Sequence, residues 1–302
     1  MHDKHLISVE ALANQIDQVI LIDCRSDLFD ASLGQQQYEA GHIPNAAFFA
    51  LHDALSGPKR PGSGRHPLPD QEGLVQRMCH LGAHNDSLVV VYDAGASVYA
   101  ARLWWLLRWC GHDEVKVLDG GYAAWVKAGY PSSTSQASAA GGQKKGQGSF
   151  SCRPSLETII ESDALLSSLE SGRHCIVDAR AAERWRGDVE PLDPVAGHIP
   201  GALNRPNTQN LRPDGRFKPA EVLREEWLSL MTLQAPRIPA AASAPGGEGP
   251  ALVHSCGSGV SACHNLLAMR IAGLNDDLIL HPGSWSEWCA DPKRPVAKGD
   301  RP

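Results

Sequence analysis

The sequence predicts an α/β protein made of two tandem domains, each a mostly parallel sheet with helices on both faces. Short apolar runs alternate with helical patterns along the whole chain, as strands and crossover helices do in parallel sheets. The chain also repeats itself. Ile20-Leu21-Ile22-Asp23 precedes Gly41-His42-Ile43-Pro44-Asn45-Ala46, and Cys175-Ile176-Val177-Asp178 precedes Gly197-His198-Ile199-Pro200-Gly201-Ala202. A second set of marks recurs: Asp93 stands as far ahead of Trp125 as Cys256 does of Trp288. Repeats in matching order and spacing imply a duplicated domain.

The elements follow in order. In the first half, the run to Asp23 is a strand. Val89-Val90-Val91-Tyr92-Asp93 is a second strand and feeds an apolar helix carrying Trp104, Trp105, Leu106 and Leu107. Val115 to Leu118 is a third strand, and Gly120-Gly121 then opens the stretch with Trp125. Pro131 to Ser149 is Ser, Gly, Gln, Ala and Lys with almost no large apolar residue, the composition of a flexible linker. The expected boundaries are therefore 1–130, a linker at 131–150, and 151–302. In the second half Leu252-Val253 ends a strand, and a helix with Leu266, Leu267, Met269 and Ile271 follows. Leu278 to Leu280 is the strand after it. Ala235 to Pro250, rich in Pro, Ala and Gly, reads as a surface loop.

The chain has 302 residues and a net charge of −6, which argues against general nucleic-acid or membrane-surface binding. It starts with the polar Met1-His2-Asp3-Lys4, and no apolar run approaches membrane-spanning length. A cytoplasmic location with reduced thiols is expected. The cysteines lack the paired spacing of zinc or redox sites, and no nucleotide-binding glycine fingerprint occurs, so no metal or cofactor is expected.

The segment His254-Ser255-Cys256-Gly257-Ser258-Gly259-Val260-Ser261-Ala262 carries the chemistry. Cys256 falls at a strand-to-helix turn, where the strand ends of a parallel sheet place their ligand sites. Flanking glycines let the backbone curl around it. Successive inward N–H groups and a helix N-terminus then stabilise a thiolate or an anion bound to it. Cys263, one helical turn on, is read as structural. The position matching Cys256 in the first half is Asp93, which cannot act as a sulfur nucleophile, so that half is expected to be a scaffold. His42 and His198 recur in both halves, the inert one included, and are read as structural.

The tandem repeat, the paired Gly-His-Ile-Pro marks and the Cys256 loop resemble the rhodanese-type sulfurtransferases over nearly the whole chain. Cys256-Gly257-Ser258-Gly259-Val260-Ser261 is similar to the loop of the 3-mercaptopyruvate branch, which usually has Thr where this chain has Ser261. The thiosulfate branch typically carries Arg and Lys where this chain has Gly257 and Ser258. A dianion such as thiosulfate benefits from adjacent cations, and the neutral loop better suits mercaptopyruvate.

The resemblance implies a Ser-His-Asp set of Ser258, His66 and Asp53 for proton handling. It implies Arg184 as the substrate's carboxylate partner and the amides of Gly257, Gly259, Val260 and Ser261 as the sulfur cradle. Many family members carry a second arginine a few residues downstream of Arg184. This chain has Val189-Glu190-Pro191-Leu192-Asp193-Pro194 there, and Arg186 is the candidate substitute. The implied reaction moves sulfane sulfur from a small anionic donor, through a Cys256 persulfide, to a thiol acceptor (thioredoxin or a small thiol) or to cyanide. Thiosulfate:cyanide transfer is the alternative activity, and a persulfide carrier the non-enzymatic one. A cysteine phosphatase would need an arginine closing the loop, where the chain has Ser261, Ala262 and Cys263.

Overall fold

The computed structural model describes residues 4–134, 148–169, 171, 173–232, 251–274 and 277–301. Most of the expected linker and the Pro/Ala/Gly-rich stretch at 235–250 lie outside these. The chain forms two compact units. One comprises Met1–Pro58, Leu68–Glu157 and Leu211–Phe217; the other comprises Lys59–Pro67, Thr158–Asn210 and Lys218–Pro302. Each unit thus takes one short segment from the other half of the chain. Lys59–Pro67 lies within Ser56 to Pro69, a stretch with almost no core-forming residues.

The first unit holds β1 (Leu6–Ile7), β2 (Ile20–Asp23), β3 (Ala47–Phe48), β4 (Val89–Tyr92) and β5 (Val115–Leu118) in the order β1-β5-β4-β2-β3. The second holds β6 (Thr158–Ile159), β7 (His174–Asp178), β8 (Leu203–Asn204), β9 (Ala251–Ser255) and β10 (Leu278–Leu280) in the order β6-β10-β9-β7-β8. Every pairing in both sheets is parallel. The two orders are the same once the numbering is offset, so the sequence repeat is a repeat of topology. The helices of the first unit are α1 (Val9–Ala13), α2 (Leu33–Ala40), α3 (Gln71–His80), α4 (Val98–Trp109) and α5 (Gly121–Lys127). Those of the second are α6 (Ser162–Ser168), α7 (Ala182–Arg186), α8 (Ala220–Thr232), α9 (Ser261–Ile271) and α10 (Ser284–Trp288).

The helices that follow the central strands are apolar on nearly every side, which a helix tolerates only when it is enclosed. Ala100 to Arg108 of α4 and Ala262 to Met269 of α9 are all buried. Trp104 and Trp105 are fully buried core residues, as their apolar run suggests. The Asn265 amide inside α9 is paired: Asn210 Nδ2 donates to Asn265 Oδ1 at 2.7 Å, and Asn265 Nδ2 to the Arg205 carbonyl at 3.0 Å.

The repeat extends to single hydrogen bonds. Arg25 chelates Asp23 and donates to the Gly41 carbonyl at 2.7 Å; Arg180 does the same with Asp178 and the Gly197 carbonyl at 2.7 Å. Trp125 Nε1 donates to the Pro131 carbonyl and Trp288 Nε1 to the Pro295 carbonyl, each at 2.8 Å. His42 Nδ1 bonds the Tyr38 carbonyl and its ring stacks on Tyr38, while His198 Nδ1 bonds the Trp185 carbonyl and stacks on Trp185. These histidines brace their Gly-His-Ile-Pro turns.

Two other buried histidines give the second unit an acid sensitivity. Burial lowers His254 to a pKa of about 3, with Arg270 adding to it, and burial lowers His281 to about 3, with Arg294 adding to it. Both are neutral when folded and take up protons when unfolded below the ordinary value of 6.5. The unfolded state therefore binds more protons between those limits, and stability falls as pH falls through them. Each histidine is expected to remove about 2 kcal/mol of stability between pH 7 and pH 5. Urea unfolding across that range checks this; a constant midpoint would refute it.

Candidate active site

The site is built at the turn between β9 and α9. Apolar β9 ends at Ser255, and Cys256 is the first residue beyond the sheet. Gly259 adopts φ +77°, the left-handed turn that brings amides around toward the sulfur. Cys256 Sγ accepts from the Ser258 N–H at 3.4 Å and the Gly259 N–H at 3.1 Å. The residue is 1% exposed, so these donors act with little competition from water. Cys263 Sγ points at the Gly259 carbonyl, 3.3 Å away, and props the turn from behind.

In the matching turn of the first unit the amides are taken by a side chain of the loop itself. The buried Asp93 carboxylate accepts N–H bonds from Gly95, Ser97, Tyr99 and Ala100 at 2.9–3.4 Å. Burial raises the Asp93 pKa even though all four amides favour its charge. The loop is filled by its own side chain.

Ser258 and His66 meet. His66 Nδ1 lies 2.7 Å from Ser258 Oγ, and both residues are buried. His66 comes from the Lys59–Pro67 segment of the same unit. Asp53 lies in the other unit, where its exposed carboxylate pairs with Arg77 at 2.7 Å. Val260 and Ser261 lead into α9, Val260 being buried.

Arg184 leaves α7 to donate from Nη2 to Glu190 Oε1 at 2.6 Å and to Asp193 Oδ2 at 3.4 Å. Glu190 Oε1 also accepts the N–H groups of Leu192 and Asp193, which ties the Val189 to Pro194 stretch into one acidic turn. Arg186 makes its ion pairs with Asp188 and Asp300, both largely exposed.

Several groups at the site escape a reading of the sequence. Ser284 adopts φ 52° where the first half has Gly121 at φ 57°. Its hydroxyl accepts the Cys256 N–H at 3.1 Å, donates to the His281 carbonyl at 2.9 Å and sits 3.9 Å from Cys256 Sγ. Such strain in a non-glycine residue concentrates at functional sites. Arg180 lies over the Trp285 ring at 4.9 Å. Burial opposes its charge, but Asp178, Glu190 and the Cys256 sulfur outweigh burial and raise its pKa. Arg65 pairs with Asp193, whose pKa burial raises against the pull of Arg65 and Arg184. Signals for some of these exist: Arg180 repeats Arg25, and Arg65 adjoins His66.

Residues 8–128 and 161–291 each match the rhodanese-like domain. A Pseudomonas aeruginosa protein named "Probable 3-mercaptopyruvate sulfurtransferase" is 42% identical over 99% of this chain and 100% of its own length. The thiosulfate sulfurtransferase of Mus musculus is 32% identical over 88% of this chain and 84% of its own. The solved 3-mercaptopyruvate sulfurtransferase from Leishmania major superimposes with a TM-score of 0.77 at 27% identity, over 94% of this chain and 74% of that one. Among the described residues no helix is long and apolar enough to cross a membrane.

Proposed function

The chain belongs to the rhodanese family of sulfurtransferases, and on that premise we propose that it moves sulfane sulfur from 3-mercaptopyruvate through a persulfide on Cys256, releasing pyruvate. The Cys256 thiolate attacks the donor sulfur. The carbon–sulfur bond breaks, its electron pair stays on carbon, and pyruvate leaves as the enolate. The Ser258 hydroxyl, backed by His66, polarises the donor carbonyl and relays the proton that converts enolate to ketone. A thiol acceptor, small or carried on a protein such as thioredoxin, or cyanide then attacks the outer sulfur and frees the Cys256 thiolate. A cytoplasmic setting suits this cycle, because it needs free thiols and every cysteine here is free.

The Ser258–His66 contact carries the reading. A sulfur carrier needs the cysteine and its amides but no buried hydroxyl–imidazole pair beside them. Thiosulfate, by contrast, leaves as sulfite and forms no enolate, so the pair has no task with that donor. The relay proposed is the Ser258–His66 pair.

The test is pyruvate release from mercaptopyruvate and sulfite release from thiosulfate, measured side by side. The wild-type protein is expected to have the higher kcat/KM for mercaptopyruvate. Ser258→Ala is expected to lower kcat for that donor about 100-fold, with a much smaller effect on thiosulfate. A preference for thiosulfate, or equal losses with both donors, would overturn the assignment.

A further inference from the structure

We propose that Cys110 and Cys152 form a second reactive site, a dithiol that hydroperoxides convert into a reversible disulfide. The sequence holds the two far apart and gives them no paired spacing. The fold of the first unit brings them together. Cys110 caps the C-terminal end of α4 and is fully buried, while Cys152 is the exposed one of the eight cysteines.

Backbone contacts set the approach. The segment at 148–157 runs across the ends of α3 and α4. The Phe150 N–H donates to the Ala83 carbonyl at 3.1 Å, the Arg153 N–H to the Cys110 carbonyl at 2.9 Å and the Leu156 N–H to the Arg108 carbonyl at 3.1 Å. Gly111 makes so close a passage possible. It holds φ +80°, and a Cβ there would meet Arg153 Cβ and the Pro154 carbonyl oxygen, each at 2.7 Å. The residue before Arg153 is thus held beside the residue before Gly111, and the Cys110 and Cys152 thiols share a hydrogen bond. Cys79, the third cysteine on this face, is engaged otherwise: its Sγ donates to the Phe150 carbonyl at 3.3 Å. A disulfide needs its two Cβ atoms close and facing, and a turn of the exposed Cys152 side chain onto Cys110 is the remaining step.

The two thiols have different tasks. Exposure makes Cys152 the one that a hydroperoxide reaches. Burial pushes the Cys110 thiol up, and the hydrogen bond and charge of Cys152 add to it. Cys110 therefore stays protonated and inert toward reagents in solvent. With hydrogen peroxide, the Cys152 sulfur attacks one peroxide oxygen, the O–O bond breaks, and one water leaves behind a sulfenic acid. The Cys110 sulfur then attacks the Cys152 sulfur and the S–OH bond breaks. The Cys110 proton leaves with the hydroxyl as a second water. Two thiols have lost two electrons and two protons, and one peroxide has become two waters. A dithiol reductant reverses the bond by exchange. The disulfide ties the end of α4 to the segment that leads into β6 and restricts the unfolded chain between them.

The test uses the full chain carrying Cys256→Ser, which removes the competing nucleophile, with hydrogen peroxide as the probe. Remaining thiols are alkylated, and the protein is digested with trypsin without reduction. Cleavage after Arg108, Lys116 and Lys145 puts Cys110 and Cys152 on separate peptides. A cross-linked pair about 2 Da lighter than the two reduced peptides together is expected, and dithiothreitol is expected to separate it. Oxidation is expected to raise the thermal midpoint by about 5 °C. Adding Cys152→Ser, a surface change that the fold tolerates, is expected to leave Cys110 reduced and to abolish that rise. Cys152 ending as a sulfinic acid beside a Cys110 thiol, or Cys152 paired with Cys79, overturns the proposal. So does oxidation of Cys110 when Cys152 is absent.

Discussion

Cys256→Ser is expected to end sulfur transfer from either donor, lowering kcat on the order of 10⁶-fold, to background. The geometry explains why so conservative a change is so costly. A serine oxygen can take the same two amide bonds, from Ser258 and Gly259, and the same place beside Ser284. The fold should tolerate the exchange. What is lost is the chemistry of the atom: oxygen is a poorer nucleophile toward sulfur and forms no persulfide. Mass spectrometry after incubation with mercaptopyruvate is expected to show one added sulfur on wild type and none on the variant. Sulfur loading of Cys256→Ser at another residue would remove the persulfide scheme.

Gly259→Ala is expected to be nearly as damaging by a different route. Gly259 holds φ +77°, and a Cβ there would lie 2.4 Å from the Pro282 carbonyl oxygen and 3.1 Å from its carbon. That neighbour is backbone and cannot swing aside, so the turn itself must move. The Gly259 N–H, 3.1 Å from Cys256 Sγ, moves with it. Loss of one preorganised donor to a developing anion costs about 100-fold or more in rate. The same change should lower stability by about 2–4 kcal/mol, combining the left-handed backbone with overpacking. Gly129 separates the two causes: it has φ +81° but nothing within 4 Å of an added Cβ. Gly129→Ala should cost only about 1 kcal/mol and leave turnover intact. Persulfide yield and urea midpoints for both variants measure the difference. Wild-type sulfur loading in Gly259→Ala would show that the cradle is dispensable.

The features legible in the sequence are those whose physics is local or periodic. The two sheets follow from the repeat, and the Cys256 turn from an apolar strand, glycines and an apolar helix in direct succession. His42 and His198 could be set aside because both halves share them. The remainder of the site depends on contacts between residues distant in the chain. Arg65 and Asp193 pair across more than a hundred residues, and ion pairs leave no periodic trace. Ser284 looks like any helix-start serine until the backbone places it at φ 52° under the Cys256 amide. The passage of 211–217 into the first unit leaves no mark in the sequence, whereas the near absence of core-forming residues from Ser56 to Pro69 suits a loop that crosses to the other unit. The Ser258–His66 pair came from family resemblance, because a histidine in a Gly/Pro-rich loop carries no intrinsic mark.

Asp93 and Cys256 make the molecule its own before-and-after picture. A carboxylate oxygen lies two bonds beyond Cβ, and so does the terminal sulfur of a cysteine persulfide. The four amides around Asp93 thus portray, in permanent form, how a mid-cycle intermediate can be gripped. Cys256 at rest has two. The turn that reacts is the one whose side chain takes two amides where its counterpart takes four.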